Sequence, residues 1–301
     1  MFIIGHWRTG TTLLHELLSL DERHVYPTYL HCFAPDYFLI FRSWVLFFAK
    51  NIMGSKRPMD QMKTGWDLPQ EDEFGLMARG VPSPYWNIAF PKNLEINKEY
   101  LTLENVPSKE LKKWKKGFLN FLRSISFKNS KRLILKSPTH SFKIKFLLEL
   151  FPDAKFIHII RNPYEVFPST IKLWKSLQEI SGYQKRNEVD LNEYVFKNFN
   201  LLYEKIEEGR SYLKSNQFIE IKYEDLIQDP IEGMENIYNI LELGEFDSVK
   251  NKIKKDWEAR KGYKVNRFKI SPEVSNEITK RWGRVIDRYG YTPPLESASN
   301  Y

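Results

Sequence analysis

The first segment of the chain combines glycine, basic and hydroxyl residues in a pattern that could bind an anion. Gly5-His-Trp-Arg-Thr-Gly-Thr-Thr12 lies between the apolar run Phe2–Ile4 and an apolar helical pattern from about Thr12 to Leu20. A helix N-terminus after such a loop offers unpaired backbone N–H groups and a partial positive charge. Gly5 and Gly10 allow the backbone to close around a phosphate. Hydroxyl donors are present at Thr9, Thr11 and Thr12.

The spacing from Gly5 to Gly10 also matches the start of a Walker A loop, in which a lysine follows the second glycine. That position is Thr11 here, and the basic residue, Arg8, precedes the glycine. Because no lysine would reach the β- and γ-phosphates, a small-molecule kinase is the weaker interpretation. The plain structural alternative is a glycine-containing turn between a strand and a helix.

A second basic site is predicted at the end of a later strand. Lys155-Phe-Ile-His-Ile-Ile-Arg-Asn-Pro163 places Arg161 at a strand end, and Pro163 can open the next helix. Ser169 then lies about two helical turns along. Taken alone, Arg161 would indicate a surface ion pair, and Ser169 would indicate a helix serine without a function. A guanidinium can bind phosphate through two hydrogen bonds, so Arg161 at a strand end is a candidate anion-binding residue.

These two motifs resemble those of the PAPS-dependent sulfotransferase family, in its bacterial branch, where PAPS is 3'-phosphoadenosine 5'-phosphosulfate. Arg8-Thr-Gly-Thr-Thr12 resembles the family's 5'-phosphosulfate loop, with Thr9 at the usual serine position. Arg161 with Ser169 resembles the 3'-phosphate site. Lys222-Tyr-Glu-Asp-Leu226 resembles the segment whose tyrosine, here Tyr223, packs against adenine. Arg260-Lys-Gly262 resembles a basic 3'-phosphate triplet less closely.

The resemblance implies transfer of a sulfuryl group from PAPS to an acceptor hydroxyl, with release of PAP and no metal. Leu135-Lys-Ser-Pro138 resembles the segment of the catalytic lysine, so Lys136 and Arg8 are the expected catalytic cations. The general base is left open among three residues, and Glu71 is expected ahead of His140 and Glu73. The alternative role of the acidic run that contains both glutamates is to cap a helix N-terminus.

Apolar strands alternate with helical patterns along the chain. This predicts an α/β fold with a central parallel sheet flanked by helices, and the resemblance implies the P-loop nucleotide-kinase-like sulfotransferase fold. We expect one domain over residues 1–301. Because this domain begins with a core strand, the question of whether an N-terminal segment is missing stays open. The predicted strands are Phe2–Ile4, Arg132–Leu135, Phe156–Ile160 and Phe218–Ile221. The later helices are predicted from Ser108, over Phe142–Phe151, Tyr164–Leu177, Leu191–Leu213 and Glu232–Leu241, and from Ser271 to near Gly290.

Residues 31–92 are expected to form an insertion or lid at the acceptor site. The segment Tyr37–Ala49 and the pair Tyr85-Trp86 are apolar and aromatic, which favours a sterol, lipid or phenol as acceptor. The basic residues Arg42, Lys56 and Arg57 keep a carbohydrate acceptor open. The apolar segment is too short to span a bilayer. A buried helix or a lid is favoured over contact with a membrane surface.

Net charge, cysteine content and histidine spacing limit the remaining classes of function. The net charge of +8 favours anionic partners. The sequence contains no nucleic-acid-binding motif, so nucleic acid is not expected as a partner. No His and Asp spacing predicts a metal site. Cys32 is the only cysteine, which excludes an intrachain disulfide, and the sequence opens without a signal-peptide pattern. A cytoplasmic location, with membrane association left open, is therefore expected.

Overall fold

A parallel β-sheet forms the centre of the computed structural model, which describes residues 1–49, 64–127, 131–185, 191–260 and 268–294. Its spatial order is β4-β1-β5-β6, and every neighbouring pair is parallel. A second, two-stranded parallel sheet joins β2 to β3. The strands are β1 (Phe2–Ile4), β2 (His24–Val25), β3 (Arg132–Leu133), β4 (Leu135–Lys136), β5 (Phe156–Ile160) and β6 (Phe218–Lys222). The predicted central parallel sheet is confirmed.

Helices connect these strands and fill the rest of the described chain. In the first half they are α1 (Thr11–Ser19), α2 (Tyr29–Phe33), α3 (Phe38–Ala49), α4 (Asp72–Ala78), α5 (Trp86–Ala89), α6 (Glu99–Thr102) and α7 (Ser108–Ser126). In the second half they are α8 (Ile144–Leu150), α9 (Pro163–Ser181), α10 (Leu191–Arg210), α11 (Tyr223–Gln228), α12 (Pro230–Ile240), α13 (Asp247–Ala259) and α14 (Pro272–Tyr289). Short 3-10 helices cover Pro138–Phe142 and Ser215–Gln217.

Alternate residues of the strands face two separate apolar clusters, as the twofold period of a strand requires. Ile3 and Ile157 belong to a cluster that includes residues of α1, α12 and α13. Phe2, Ile4 and Phe156 belong to the other cluster, with residues of α7 to α10 and α14. The sheet is therefore covered by helices on both faces, which explains why most residues of its strands are apolar.

Two predicted elements differ from the structure in detail. The predicted strand Arg132–Leu135 is two strands, because Ile134 N donates to Val25 O whereas Leu135 N donates to Met1 O. The chain changes its pairing partner at this point. The predicted helix Phe142–Phe151 is divided at Lys143, whose backbone (φ −133°, ψ 30°) is not helical. A 3-10 helix therefore precedes α8.

The region between residues 31 and 92 contains α3, α4 and α5 in its described parts. Helix α3 is interrupted at Phe41, where φ is −107° and ψ is 23°. Lys56 and Arg57 lie outside the described residues. Across the described ranges, no helix has both the length and the apolar character that a membrane span requires.

Candidate active site

The loop between β1 and α1 depends on two glycines. Gly5 and Gly10 have φ values of 145° and 100°, which side chains on an L-residue rarely allow. A Cβ atom at Gly5 would lie 2.5 Å from Ile159 O, and one at Gly10 would lie 2.4 Å from the ring of Tyr223. Glycine is therefore required at both positions. Gly10 also occupies the cap position of α1, so the first N–H groups of this helix receive no side-chain cap from it.

Arg8 brings the two predicted phosphate motifs together. Its Nε donates to Ser169 Oγ at 2.9 Å. Its carbonyl oxygen accepts a hydrogen bond from Arg161 Nη1 at 3.1 Å. Arg8 itself has a left-handed backbone, with φ of 73°. The loop after β1 and the helix after β5 are therefore in contact at the carboxyl edge of the sheet, where the ligand cleft of an open α/β fold lies.

Tyr223 forms one side of this cleft. It is the first residue after β6, and its ring packs against Gly10. The guanidinium carbon of Arg161 lies 4.5 Å from the centroid of the same ring, within cation–π distance. Burial raises the pKa of Tyr223 above its ordinary value, so the phenol is neutral at physiological pH. Tyr223 thus contacts both motifs, through Gly10 and through Arg161, and is itself almost fully buried.

The hydroxyls of the loop have different environments. Thr9 is buried, and its Oγ1 donates to His6 O at 2.8 Å, within the loop. Thr12 Oγ1 accepts a hydrogen bond from Lys136 Nζ at 3.3 Å. Thr11 is the buried first residue of α1. The structure therefore brings Thr12, and with it the loop, into contact with the predicted lysine of β4.

Lys136 also makes an ion pair with Glu71. Lys136 Nζ lies 2.7 Å from Glu71 Oε1, and the lysine side chain is 1% exposed. Glu71 immediately precedes α4 but makes no side-chain cap to that helix. Its carboxylate is instead turned toward β4. A base candidate and a cation candidate from distant parts of the sequence are thereby brought into direct contact.

Tyr85 and Trp7 complete the surroundings of Glu71. Tyr85 Oη donates to Glu71 Oε2 at 2.5 Å and accepts a hydrogen bond from Trp7 Nε1 at 3.2 Å. Burial, together with the charge of Glu71, raises the pKa of Tyr85 well above its ordinary value. The phenol is therefore a proton donor to the carboxylate over the physiological range. No pattern in the sequence indicates this hydrogen bond, although Tyr85 belongs to the aromatic pair expected in the acceptor region.

The other two base candidates have different partners. Glu73 Oε2 accepts a hydrogen bond from Thr139 Oγ1 at 2.7 Å and lies 3.7 Å from Lys143 Nζ. His140 Nε2 lies 2.9 Å from Asp72 Oδ1. All these side chains are fully or almost fully buried. The three consecutive acids Glu71 to Glu73 are thus all engaged with the segment Lys136 to Lys143, but only Glu71 contacts Lys136 itself.

Ser141 is a site residue that the sequence did not indicate. Its Oγ accepts a hydrogen bond from Gly5 N at 2.9 Å and donates to Gly5 O at 3.3 Å. The 3-10 helix after β4 is therefore hydrogen-bonded to the beginning of the loop between β1 and α1. No spacing in the sequence could identify this contact, because the two residues are far apart along the chain.

The triplet Arg260-Lys-Gly262, which resembles its family counterpart less closely, lies only partly within the described residues. Lys261 and Gly262 lie outside the described residues. Arg260 Nη1 lies 2.7 Å from Glu16 Oε2, and Arg260 Nε lies 2.5 Å from Asp256 Oδ2. In this structure Arg260 therefore joins α13 to α1 through ion pairs. The residues that are described include no cluster of three or more His, Cys, Asp or Glu side chains that could hold a metal ion.

Aromatic rings lead away from Glu71 on the side of α2. The rings of Phe74 and Tyr85 have centroids 5.1 Å apart, and those of Phe33 and Phe74 are stacked at 6.2 Å. Phe33 is exposed at the end of α2. A row of contacting rings therefore connects Tyr85, the hydrogen-bond partner of Glu71, with the exposed Phe33.

Comparison with known proteins gives a consistent result. Residues 1–248 match a family model described as "Sulfotransferase family". The omega-hydroxy-beta-dihydromenaquinone-9 sulfotransferase Stf3 of Mycobacterium bovis is 44% identical to this chain over 291 residues. The match covers 97% of this chain and 75% of that protein. The protein of the same name from Mycobacterium tuberculosis matches with the same identity and coverage.

Solved structures share the fold. Sulfotransferase STF9 from Mycobacterium avium matches with a TM-score of 0.74 and 19% identity, over 97% of this chain and 77% of that one. Sulfotransferase STF1 from Mycobacterium tuberculosis H37Rv matches with a TM-score of 0.67 and 20% identity, over 94% of this chain and 76% of that one. These similarities confirm the predicted fold class.

Proposed function

Because the chain belongs to the sulfotransferase family, we propose that it takes its sulfuryl group from PAPS and transfers it to the hydroxyl of an apolar, lipid-like acceptor. The observation that carries this proposal is the hydrogen bond between Arg8 and Ser169. It joins the loop suited to a 5'-phosphosulfate to the helix suited to a 3'-phosphate. A donor with phosphate groups at both ends of one nucleoside fits such a cleft.

The residues of the cleft match the chemical groups of PAPS one by one. The open first turn of α1, with Thr11 and Thr12, is an anion site for the 5'-phosphosulfate. Arg161 and Ser169 are donors for the 3'-phosphate. Tyr223, beside Arg161, is the proposed aromatic contact for adenine. Thr9 supports the loop from within, since its hydroxyl donates to the backbone of His6.

Lys136 and Arg8 supply the positive charge for the transfer. In the reaction the acceptor oxygen bonds to sulfur while the bond between sulfur and the bridging phosphate oxygen breaks, and the electron pair leaves with PAP. Lys136, adjacent to Thr12 at the start of α1, stabilises negative charge on the leaving oxygen. Arg8 neutralises charge on the phosphate groups. Since two side chains carry these charges, we propose that the reaction needs no divalent metal.

Glu71 is the proposed general base. Its carboxylate contacts Lys136 and Tyr85, so it lies where an acceptor hydroxyl would approach the transferred group. Glu73 and His140 are less suited, because their side chains are buried and paired with Thr139 and Asp72. Glu71 takes the acceptor proton as the oxygen attacks sulfur, and Tyr85 holds the carboxylate in place.

The acceptor is proposed to be a lipid-like alcohol. The proposed acceptor wall is aromatic. Tyr85 is hydrogen-bonded to Glu71, and its ring is contacted by Trp7 and Phe74. Such residues suit an apolar molecule. The relative at 44% identity is named for an omega-hydroxylated dihydromenaquinone, which is an acceptor of this class. Residues 31–92, which include these walls apart from Trp7, are accordingly proposed as the acceptor-site insertion of a single domain.

Incubation with radiolabelled PAPS tests the proposal. The acceptor panel comprises an omega-hydroxylated polyprenyl quinol, a sterol, a simple phenol and an amino sugar, each with and without EDTA. We expect label on the polyprenyl quinol or the sterol, with unchanged rates in EDTA. Transfer to the amino sugar alone would overturn the acceptor class, and failure to bind PAP by calorimetry would overturn the donor.

A further inference from the structure

Large apolar side chains are exposed on one short segment of the surface. Of the twelve large apolar side chains that are exposed in the described residues, seven lie between Phe33 and Phe47. Ile40 and Phe47 are 79% and 75% exposed. Such a concentration is unusual for a soluble surface, where exposed apolar residues are normally scattered. In addition to Phe33, the set is Tyr37, Leu39, Ile40, Phe41, Trp44 and Phe47.

We propose that α3 and the turn before it dock into the interfacial layer of an anionic lipid bilayer, from which the acceptor enters the site. This inference rests on the proposed function, because it assigns a source to the lipid-like acceptor. The segment Tyr37–Phe47, named here the docking helix, is the part of the molecule that contacts the lipid.

The position of the docking helix connects it to the chemistry. Phe33, at the end of α2, is exposed beside it and stacks on Phe74. Phe74 packs on Tyr85, whose hydroxyl donates to Glu71. This row of rings therefore runs from the surface beside the docking helix to the partner of Glu71, and an apolar acceptor that enters from the bilayer would lie against it. An exposed apolar patch elsewhere on the molecule would have no such connection.

The composition of the docking helix favours a lipid surface over another protein. Trp44 and Tyr37 are residue types that prefer the membrane–water interface, and Ile40, Phe41 and Phe47 supply apolar area. Its one charged residue, Arg42, is exposed and paired with Asp67 at 2.7 Å. At twelve residues, α3 is too short to cross a bilayer but suits a position in the plane of the interface.

Charge complementarity favours an anionic surface. The chain carries a net charge of +8, and this charge attracts it to anionic lipid over the distance of a Debye length. Binding of an interfacial helix increases with the apolar area that it buries and with its electrostatic attraction to anionic lipid, and both contribute here.

Co-sedimentation with vesicles tests the inference without any substrate. The probes are vesicles of pure phosphatidylcholine and vesicles of phosphatidylcholine with phosphatidylglycerol at about 7:3. The test variant is Ile40→Asp. The matched control is Ile180→Asp, which changes an isoleucine of α9 that is also exposed, at 60%. Both variants add the same charge, so a difference between them reports on position alone.

We expect the full chain and Ile180→Asp to bind the anionic vesicles, and Ile40→Asp to bind them at least about tenfold more weakly. Turnover of a vesicle-embedded acceptor should fall in Ile40→Asp and not in Ile180→Asp. In Ile40→Asp it should fall further than turnover of a water-soluble phenolic or short-chain alcohol. Equal vesicle binding by the two variants, or no binding by the full chain, would overturn the inference.

The other occupant of this surface would be a second copy of the chain. Light scattering distinguishes it: a dimer that Ile40→Asp dissociates, with no vesicle binding, contradicts the membrane assignment. Because vesicle binding is measured without PAPS or acceptor, its failure is separate from failure of the proposed sulfuryl transfer. The inference on docking and the proposal on chemistry can thus be rejected independently.

Discussion

Lys136 Nζ and Glu71 Oε1 lie 2.7 Å apart, with the lysine almost fully buried. This ion pair joins a residue at the end of the central sheet to a residue at the start of α4. In it the proposed catalytic cation and the proposed base neutralise each other. Binding of the donor would give Lys136 a phosphate oxygen as partner, which releases Glu71 to accept a proton from the acceptor.

Replacement of Glu71 by glutamine should remove the base and keep the shape of the site. We expect turnover to fall by about 10²–10⁴, with PAP affinity unchanged or higher because Lys136 loses its competing carboxylate. Radiolabel transfer and calorimetry measure the two quantities. Glu110→Gln, in the first turn of α7, is the control. Turnover close to that of the unmodified chain would reject Glu71 as the base.

Replacement of Glu73 by glutamine should instead affect stability. Lys143 would be left buried without its carboxylate partner, which typically costs about 3–5 kcal/mol. Thermal unfolding should therefore occur at a lower temperature, while turnover per folded molecule stays much closer to normal than in Glu71→Gln. Lost turnover with an unchanged melting temperature would identify Glu73 as the catalytic carboxylate.

Lys136→Met should test the cation directly. The methionine fills nearly the same volume but cannot stabilise the leaving oxygen, so we expect turnover to fall by about 10²–10³. Lys131→Met, an exposed lysine just before β3, is the matched control. A variant at Lys136 that retains full turnover would show that the positive charge comes from elsewhere.

Ser169→Ala should weaken binding of the 3'-phosphate without weakening binding of the 5'-phosphate. Loss of a hydrogen bond to a charged group costs about 1.5–3 kcal/mol, so PAP should bind roughly 10–150-fold more weakly. AMP lacks the 3'-phosphate, and its affinity should not change. Ser124→Ala, on α7, is the control. Equal losses for PAP and AMP would mean that Ser169 acts only by holding Arg8.

The stability of the fold should decrease in mild acid because of His6. Burial lowers the pKa of His6 from 6.5 to about 4, so the unfolded chain takes up its proton first as the pH falls. The contribution of neutral His6 is complete above pH 6.5 and decreases toward pH 4; at pH 5 the loss is about 2 kcal/mol. His6→Gln should lose less stability than the unmodified chain between pH 7.5 and pH 5, measured by denaturant unfolding. Equal losses would contradict the assignment.

The phosphate motifs could be predicted from the sequence because each is local. Gly5, Arg8 and Gly10 lie within one loop, and Arg161 and Ser169 lie on one strand end and the helix after it. The order of elements then places both at the carboxyl edge of a parallel sheet. Local spacing and topology together were sufficient to predict that Arg8 and Ser169 lie close together.

The environment of the base could not be predicted in the same way. Which of Glu71 and Glu73 contacts Lys136 depends on how α4 packs against β4, and that packing is set by side chains far away in the sequence. The hydrogen bonds of Tyr85 with Glu71 and Trp7, and that of Ser141 with Gly5, likewise join distant segments. Periodicity and propensity do not record such contacts.

The left-handed backbone of Arg8 implies a compromise between folding and binding. A non-glycine residue in this conformation typically costs about 1 kcal/mol. A chain optimised for thermal robustness alone would have glycine here, and such a chain would lose the guanidinium that reaches Ser169. The protein thus tolerates a conformational penalty at a residue proposed to bind the nucleotide donor, and we expect a thermostabilising screen that selects glycine at position 8 to select against turnover.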